Sequence, residues 1–170
     1  ALAAAGVPVA DEAELVLVMG KTARFVNTDD ALSYVLGYTC GNDVSDRTLQ
    51  AQDGQFVRAK GFDTYAPLGP VIQTDLDPTR LAVSCTVNGE TRQNGSTADM
   101  IWGPAELVAF ISSVVTLEPG DVIMTGTPDG VSAINPGDTV AVTIEKIGTL
   151  ENPVRHLQDE TAIPLGPKKG

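Results

Sequence analysis

The stretch DEAELVLVMG, residues 11–20, decides the fold because its Leu and Val run is typical of a buried β-strand. Two carboxylates, Glu12 and Glu14, lie at the start of this strand. Side chains alternate along a strand, so these two project from the same face a few ångströms apart. Like charges so close repel each other. Such a pair persists if it shares a proton, is neutralised by basic side chains or binds a hard cation.

The spacing of the two acids does not choose between these explanations. An exposed strand end neutralised by Lys21 or Arg24 is favoured on spacing alone, because most carboxylates in proteins are solvated. A cation site is the alternative, and it needs further ligands from elsewhere in the chain.

Length and charge limit the class of protein. The chain has 170 residues, the size of one ordinary domain, so we expect a single domain over residues 1–170. It is 42% hydrophobic and 19% charged, and no apolar run approaches the roughly 18 residues of a membrane span. With 22 acidic and 11 basic residues its net charge is −11, which repels nucleic acid and anionic membranes. We therefore expect a soluble globular protein with neither as a partner.

The cysteines indicate the compartment. Cys40 and Cys85 form no CxxC motif, and the chain has one histidine, which excludes a thiolate zinc site and a disulfide framework. We expect a cytoplasmic protein. The start ALAAAGVPVA, residues 1–10, lacks an initiator Met and the features of a signal peptide, and is interpreted as a cut end. Residues 155–170 have little to bury and are expected to form a loose tail.

The remaining periodicity favours strands joined by few helices. LAVSCTVNGETRQ predicts a hairpin that turns at Asn88-Gly89, and DVIMTG and DTVAVTIEKIG predict two further strands. Helices are predicted over DDALSYVL, which follows Thr28, and from Pro104 to about Val115. The second helix is expected to pack on a sheet through a stripe of Leu107, Phe110, Ile111 and Val114. The predicted fold class is mainly β with short helices (α+β).

A second polar stretch, GYTCGNDVSDRTLQ at residues 37–50, offers a third carboxylate. Read as a turn into a short helix, it places Asp43, Arg47 and Gln50 on one helical face. An equally good interpretation is an acid at a helix start that forms a salt bridge with Arg47 four residues on. The following stretch AKGFDTYAPLGPVIQT contains Lys60 and Asp63 before an apolar run rich in Pro and Gly.

Four ordered motifs resemble those of the fumarylacetoacetate hydrolase family. They are EAE at 12–14, NDVSDRTLQ at 42–50, KGFDTYAPLGP at 60–70 and GTPDG at 126–130. The resemblance extends roughly from Ala10 to Val154, and four motifs in order are far more specific than one. It implies a fold of the family's type, a mixed β-sandwich roll, and a homodimer.

The resemblance also implies a metal site. Glu12, Glu14 and Asp43 match the positions that hold a divalent cation in the family. Three hard carboxylate oxygens suit Mg²⁺, with Mn²⁺ or Ca²⁺ as alternatives. By the same matching, the expected catalytic residues are Lys60, Arg47 and Gln50, and the expected substrate-binding residues are Thr127, Gly126 and Asp63.

The implied function is divalent-metal-dependent chemistry on a small 2-oxo or 2,4-dioxo acid through a metal-stabilised enolate. An isomerase or decarboxylase of aromatic-compound catabolism competes with a C–C bond hydrolase of the acylpyruvate or fumarylacetoacetate type. A catalytically silent metal- and carboxylate-binding domain is the alternative from another class. Hydrolytic members usually carry a His and Glu pair on an N-terminal or lid segment. This sequence shows no such segment, so the lid is either absent from the protein or lies outside the sequence.

Four other residues have tempting functional readings. His156 matches no motif and is expected at the surface. Trp102 is expected to anchor the start of a helix by packing, and Cys40 to be a buried structural thiol. Asp46 either reaches the outer shell of the metal or faces water.

Overall fold

The computed structural model describes residues 2–3 and 9–156, and strands joined by short helices make up most of them. This confirms the predicted mainly β class. The strands are β1 (Leu2–Ala3), β2 (Val9–Ala10), β3 (Ala13–Met19), β4 (Val35–Asn42), β5 (Ser45–Asp46), β6 (Leu68–Gln73), β7 (Ala82–Val87), β8 (Glu90–Ser96), β9 (Val122–Met124), β10 (Ala133–Ile134), β11 (Thr139–Ile144), β12 (Gly148–Pro153) and β13 (Arg155–His156). The helices are α1 (Thr28–Ala31), α2 (Arg47–Asp53), α3 (Val57–Lys60) and α4 (Pro104–Val114), with 3₁₀ turns at Leu32–Tyr34 and Thr97–Asp99.

Two antiparallel sheets pack face to face as a sandwich. One sheet has the strand order β12-β11-β7-β8 and the other has β6-β4-β3-β9. In β7 and β11 buried and less buried residues alternate, so each strand turns one face to the core. Cys85 lies opposite Val142 in this pairing, and both side chains are buried. Shorter pairings, β10-β2-β5 and β1-β13, add to the sandwich.

Strand β3 lies at the centre of the second sheet and contains the predicted apolar run. It pairs with β4 on one side and β9 on the other, and all seven of its residues are buried. A strand covered on both faces has no solvent side, which is why Leu15 to Met19 are all apolar. The prediction of a buried strand over residues 11–20 is confirmed. Glu12, which directly precedes β3, and Glu14, within β3, are both buried.

The predicted hairpin is also confirmed. Asn88 and Gly89 connect β7 to β8 with φ values of +53° and +81°. Positive φ at both central residues is the geometry of a type I′ turn, for which the Asn-Gly pair is preferred. The segments DVIMTG and DTVAVTIEKIG contain β9 and β11, as predicted.

The two predicted helices differ from the structure in detail. α1 ends at Ala31, and after one 3₁₀ turn the chain enters β4 at Val35, so the predicted helix over DDALSYVL was too long. The predicted stripe on α4 was wrong for Phe110 and Val114, while Ile111 packs against the core as predicted. Phe110 and Val114 are 69% and 64% exposed, and the buried residues are Pro104, Val108 and Ser112.

The buried face of α4 differs from the predicted face because the segment before α1 contacts this helix. The N–H of Phe25 donates to the carbonyl of Ser112, and the N–H of Val26 donates to its hydroxyl. The chain therefore crosses α4 at Ser112, a polar position that hydrophobic periodicity does not select. α4 packs against this segment, against α1 and against the 3₁₀ turn that follows α1.

Residues 37–50 fold differently from the predicted helical turn. Residues 35–42 form β4, Asp43 lies in the link to β5, and α2 begins only at Arg47. The shared helical face of Asp43, Arg47 and Gln50 was therefore wrong, as was the helix-start role of Asp43. Asp46 caps α2 instead, accepting a hydrogen bond from the N–H of Leu49 at 2.9 Å. It is buried, so it does not face water.

Three further expectations can be compared with the structure. Trp102 is 63% exposed, so its predicted packing role was wrong. Cys40 is buried and its thiol donates to the carbonyl of Gly148, and burial raises the pKa of this thiol to about 11, which confirms a structural cysteine. His156 is exposed as predicted.

Residues 1–10 were interpreted as a cut end, and residues 155–170 were expected to form a loose tail. Residues 155–156 form β13, which pairs in parallel with β1, so the predicted loose tail was wrong for these two residues. Residues 157–170 of that tail, and residues 1 and 4–8 of the predicted cut end, lie outside the described part of the chain. Within residues 2–3 and 9–156, no helix combines the length and apolarity that a membrane crossing requires.

Gly130 provides a test of the close approach between β8 and the GTPDG loop. Its φ is +102°, and an added Cβ would lie 2.1 Å from the carbonyl oxygen of Arg92. We expect Gly130→Ala to lower the free energy of unfolding by about 3 kcal/mol, measured by urea denaturation, because backbone strain and a steric clash add. The matched control is Gly120→Ala, with φ +93° and no atom within 4 Å, which should cost about 1 kcal/mol. Equal losses would contradict the close approach.

Candidate functional site

Three carboxylates meet at one end of the sandwich. Oxygens of Glu12, Glu14 and Asp43 all lie within 4.8 Å of one another. They converge because β3 and β4 are antiparallel, with Ala13 opposite Asn42, so the entry to one strand lies beside the exit from the other. The N–H of Asp43 donates to the carbonyl of Glu12 at 2.9 Å, which fixes this junction. Both glutamates are buried.

Two basic side chains neutralise the cluster. The ammonium of Lys60 donates to Glu12 Oε2 at 3.0 Å and also to Asp43 Oδ2. Arg47 donates to Glu12 Oε1 at 2.5 Å and to Gln50 Oε1 at 2.7 Å. Each charged partner reduces the repulsion between buried acids.

Neutralisation by Lys21 or Arg24, which spacing alone favoured, was therefore wrong. Lys21 lies over the ring of Tyr34, and Arg24 donates to the carbonyl of Ser112. Both residues follow the far end of β3, whereas the carboxylates lie at its start.

Burial sets the protonation of these groups. It raises the pKa of Glu14 to about 7, although the hydrogen bond from the N–H of Gly126 lowers it. Burial also raises the pKa of Asp43, more than the hydrogen bond from Lys60 lowers it. Burial alone would lower the pKa of Lys60, but its hydrogen bonds to Asp43 and Glu12 outweigh burial and the pKa is raised. Lys60 is therefore cationic at neutral pH, and Glu14 exchanges its proton near neutrality.

The donor set fits a hard divalent cation. Three carboxylates supply oxygen ligands of the kind that Mg²⁺, Mn²⁺ and Ca²⁺ prefer, and no His or Cys side chain belongs to this group. Beside them, Asn42 accepts a hydrogen bond from the N–H of Glu12, while its buried Nδ2 has no hydrogen-bond partner among the described residues. A buried donor without a partner next to Glu12 has capacity for an oxygen of a bound ligand.

The GTPDG loop closes the site from the other side. The N–H of Gly126 donates to Glu14 Oε2 at 2.8 Å, and the hydroxyl of Thr127 donates to the carbonyl of Ala13 at 2.8 Å. The loop thus contacts the strand that carries both glutamates. A cleft of about 630 Å³ opens beside it, lined in part by Gly126, Thr127, Trp102 and Leu107.

The structure brings together all but one of the residues expected at the site. Asp63 is the exception, because it lies exposed in the turn after α3 and forms no hydrogen bond or ion pair with the carboxylates. The residues brought together are Glu12, Glu14, Asp43, Lys60, Arg47, Gln50, Gly126 and Thr127.

Sequence reasoning missed three buried polar residues around this site. Gln93 in β8 is 0% exposed and bonds both to Ala13 and to the GTPDG loop. Asn42 supports the backbone of Glu12. Asp11 accepts hydrogen bonds from the thiol of Cys85 and the hydroxyl of Ser132. Their types are common on strand surfaces, so no local pattern distinguished them from solvated residues.

Known proteins resemble most of this chain. Residues 5–155 match the family described as fumarylacetoacetate (FAA) hydrolase C-terminal. The 5-carboxymethyl-2-hydroxymuconate delta-isomerase structure from Mycobacterium smegmatis is 49% identical, with a TM-score of 0.91, over 92% of this chain and 62% of that one. Maleylpyruvate hydrolase of Aquipseudomonas alcaligenes is 47% identical over 147 residues, which cover 85% of this chain and 50% of that protein.

A further relative has another activity in its name. The oxaloacetate tautomerase YisK of Bacillus subtilis is 42% identical over 153 residues, which cover 84% of this chain and 51% of that protein. The chain thus spans roughly half to three fifths of the length of these relatives.

The raised pKa of Glu14 makes cation binding depend on pH. Glu14 must lose its proton to bind a cation, so Mg²⁺ affinity should be low below pH 7 and rise as the pH passes through about 7. We expect the Mg²⁺-induced increase in the unfolding temperature to be larger at about pH 8 than at about pH 5.5. Differential scanning fluorimetry measures it.

Glu14→Gln tests the same prediction by removing the charge. The Mg²⁺-induced increase should then be lost at both pH values, because one of three carboxylate ligands is gone. Glu151→Gln, at an exposed position on β12, is the matched control and should retain the full pH-dependent increase. Undiminished stabilisation of the Glu14→Gln protein by Mg²⁺ would refute this site.

Proposed function

The chain belongs to the fumarylacetoacetate hydrolase family, and we propose that the protein is a divalent-metal-dependent enzyme acting on a small 2-oxo or 2,4-dioxo acid. One observation carries the proposal: three carboxylates that can hold a cation share their site with the ammonium of Lys60. A purely structural ion site would need the acids alone. A positive side chain within the ligand cluster supports a site where negative charge develops on a substrate.

Lys60 is the residue best suited to bind that charge. Its pKa is raised by hydrogen bonds to Asp43 and Glu12 after burial is taken into account, so it acts as a cation and a proton donor, not as a base. Its side chain is about a quarter exposed, at 26%, so a ligand can reach it. A bound divalent cation supplies a second positive charge, which favours the enolate form of a 2-oxo acid.

Arg47 and Gln50 are proposed to bind the polar end of the substrate. They lie one turn apart on α2 and are joined by a hydrogen bond of 2.7 Å. The side chain of Arg47 is 36% exposed, and its guanidinium carries donors that match a carboxylate. These local cations are needed because this chain, with a net charge of −11, repels anionic substrates.

Proton transfer is the reaction type that the observations favour. The described part of the site holds Lys60, a cationic proton donor, with the guanidinium of Arg47 on the same carboxylate of Glu12. Moving a proton along a 2-oxo acid requires such groups, and relatives named delta-isomerase and oxaloacetate tautomerase support an isomerase. Decarboxylation of the same kind of acid would use the same charges.

Hydrolysis of a C–C bond is the second candidate. The specific observation in its favour is the 47% identity to a maleylpyruvate hydrolase. Hydrolysis also requires activation of a water molecule, and the one histidine of this sequence, His156, is exposed in β13.

We propose Mg²⁺ as the cation, a homodimer as the assembly and the cytoplasm as the location. Phe25, Phe110 and Val114 are exposed near one another, since the N–H of Phe25 bonds to Ser112 of α4, and apolar surface of this kind supports association. The two buried cysteines are free thiols, which supports a reducing compartment.

Turnover of oxaloacetate and acetylpyruvate by the purified full-length protein tests the proposed function. We expect Mg²⁺-dependent loss of the enol or keto absorbance that stops when a chelator is added. Lys60→Ala should lower kcat at least about 100-fold, because it removes charge from the reacting end of the substrate. Lys21→Ala, at the far end of β3, is the matched control and should retain activity.

The preferred substrate separates the reactions. Tautomerisation or decarboxylation of oxaloacetate supports the first candidate, and cleavage of acetylpyruvate supports the hydrolase. If Lys60→Ala loses no activity, the role proposed for Lys60 is wrong. If neither acid reacts although Mg²⁺ binds, an isomerase with a longer diacid substrate or the catalytically silent binding domain becomes the better account.

A further inference from the structure

Among the described residues, Gln93 is the one whose side chain forms hydrogen bonds both with β3 and with the GTPDG loop. It belongs to β8, in the sheet opposite the one that carries Glu12 and Glu14, and it is 0% exposed. A fully buried amide must find partners for both its donors and its acceptor. Gln93 finds them on the metal-binding strand and on the substrate-binding loop.

The hydrogen bonds form a closed ring. Gln93 Oε1 accepts from the N–H of Ala13 at 2.9 Å, and Gln93 Nε2 donates to Thr127 Oγ1 at 2.7 Å. The Thr127 hydroxyl in turn donates to the carbonyl of Ala13 at 2.8 Å. The second amide hydrogen of Gln93 goes to the carbonyl of Pro128 at 2.7 Å. Each member therefore fixes the orientation of the next.

The ring acts on the two glutamates through Ala13. This residue lies between Glu12 and Glu14, and both of its backbone polar groups belong to the ring. Because Ala13 is held at both its N–H and its carbonyl, the direction in which the flanking side chains leave the strand is fixed. On the loop side, the residue next to Thr127 donates its N–H to Glu14, so the same ring sets a second contact of the cluster.

The backbone of β8 holds the loop on either side of Gln93. A Cβ at Gly130 would lie 2.1 Å from the carbonyl oxygen of Arg92, and one at Gly95 would lie 2.8 Å from Cβ of Pro128. The loop can approach β8 this closely only because both positions are glycine. Gln93 therefore occupies the centre of a tight strand-to-loop contact.

We propose that Gln93 is a positioning residue, which couples the carboxylates of the metal-binding strand to the GTPDG loop that binds substrate. The Thr127 hydroxyl donates its single proton to the carbonyl of Ala13, so this hydroxyl holds the loop against the strand. The inference rests on the proposed function for its catalytic consequence. Its consequence for cation binding stands independently.

Gln93→Glu tests the proposal with little change in volume. The new carboxylate can still accept from Ala13, but it has no hydrogens for Thr127 and Pro128, so the Thr127 hydroxyl turns toward it and releases Ala13. We expect Mg²⁺ affinity to fall at least about 10-fold, as for other groups that orient ligands indirectly, and kcat to fall with it. Calorimetric titration with Mg²⁺ and steady-state kinetics measure the two effects. Gln55→Glu, the same change at an exposed position, is the control and should alter neither.

Thr127→Val supplies a second variant that introduces no charge and no unpaired carboxylate. It removes the hydroxyl that joins Gln93 to Ala13, so Mg²⁺ affinity should again fall at least about 10-fold although Thr127 is not a proposed ligand. Folded variants, checked by circular dichroism, that bind Mg²⁺ as tightly as the unaltered protein would overturn the proposal. If the unaltered protein turns over no acid, the proposed function fails, while the Mg²⁺ titrations still decide the role of Gln93.

Discussion

The repulsion among three clustered carboxylates, two of them buried, is the constraint on which the rest of this structure depends. Glu12, Glu14 and Asp43 approach within 4.8 Å in a mainly apolar interior, where a charge without a partner is costly. The protein meets this cost with the cations of Lys60 and Arg47, and with a pKa of about 7 that lets Glu14 keep a proton near neutrality. A divalent cation that enters the cluster relieves the same repulsion more strongly. Charge balance therefore links stability to ligand binding.

The strands of the sandwich hold the three carboxylates close together. β3 is buried on both faces and gives its apolar residues to the core, so its entry point is held rigidly where the acids begin. β4 returns beside it and delivers Asp43, and β8 of the opposite sheet reaches across with Gln93. The acids thus lie in or next to the ends of regular strands, and the cations come from short helices with more exposed side chains. The carboxylates are therefore held by the sheet, and the cations proposed to bind substrate lie on the more accessible helices.

Sequence patterns predicted what depends on local physics. The apolar run of β3 and the alternation of β7 are local, and so is the Asn88-Gly89 turn that the structure contains. The rotation of α4 was not predictable from its own apolar residues, because a hydrogen bond to Ser112 from a segment far away in sequence sets its buried face. The grouping of Asp43 with Glu12 came from family motifs, and the helical spacing proposed for it was wrong. Gln93 carried no signal at all, since its partners are 80 and 34 residues away.

Crystals grown with Mn²⁺ test directly whether the acidic cluster holds a divalent cation. We predict one strong anomalous-difference peak among the oxygens of Glu12, Glu14 and Asp43. The ammonium of Lys60 should also have moved away from at least one of its present carboxylate partners. An absence of any peak at saturating Mn²⁺, with Lys60 still bonded to Asp43 and Glu12, would contradict it. The ammonium would then be the resident cation of the cluster.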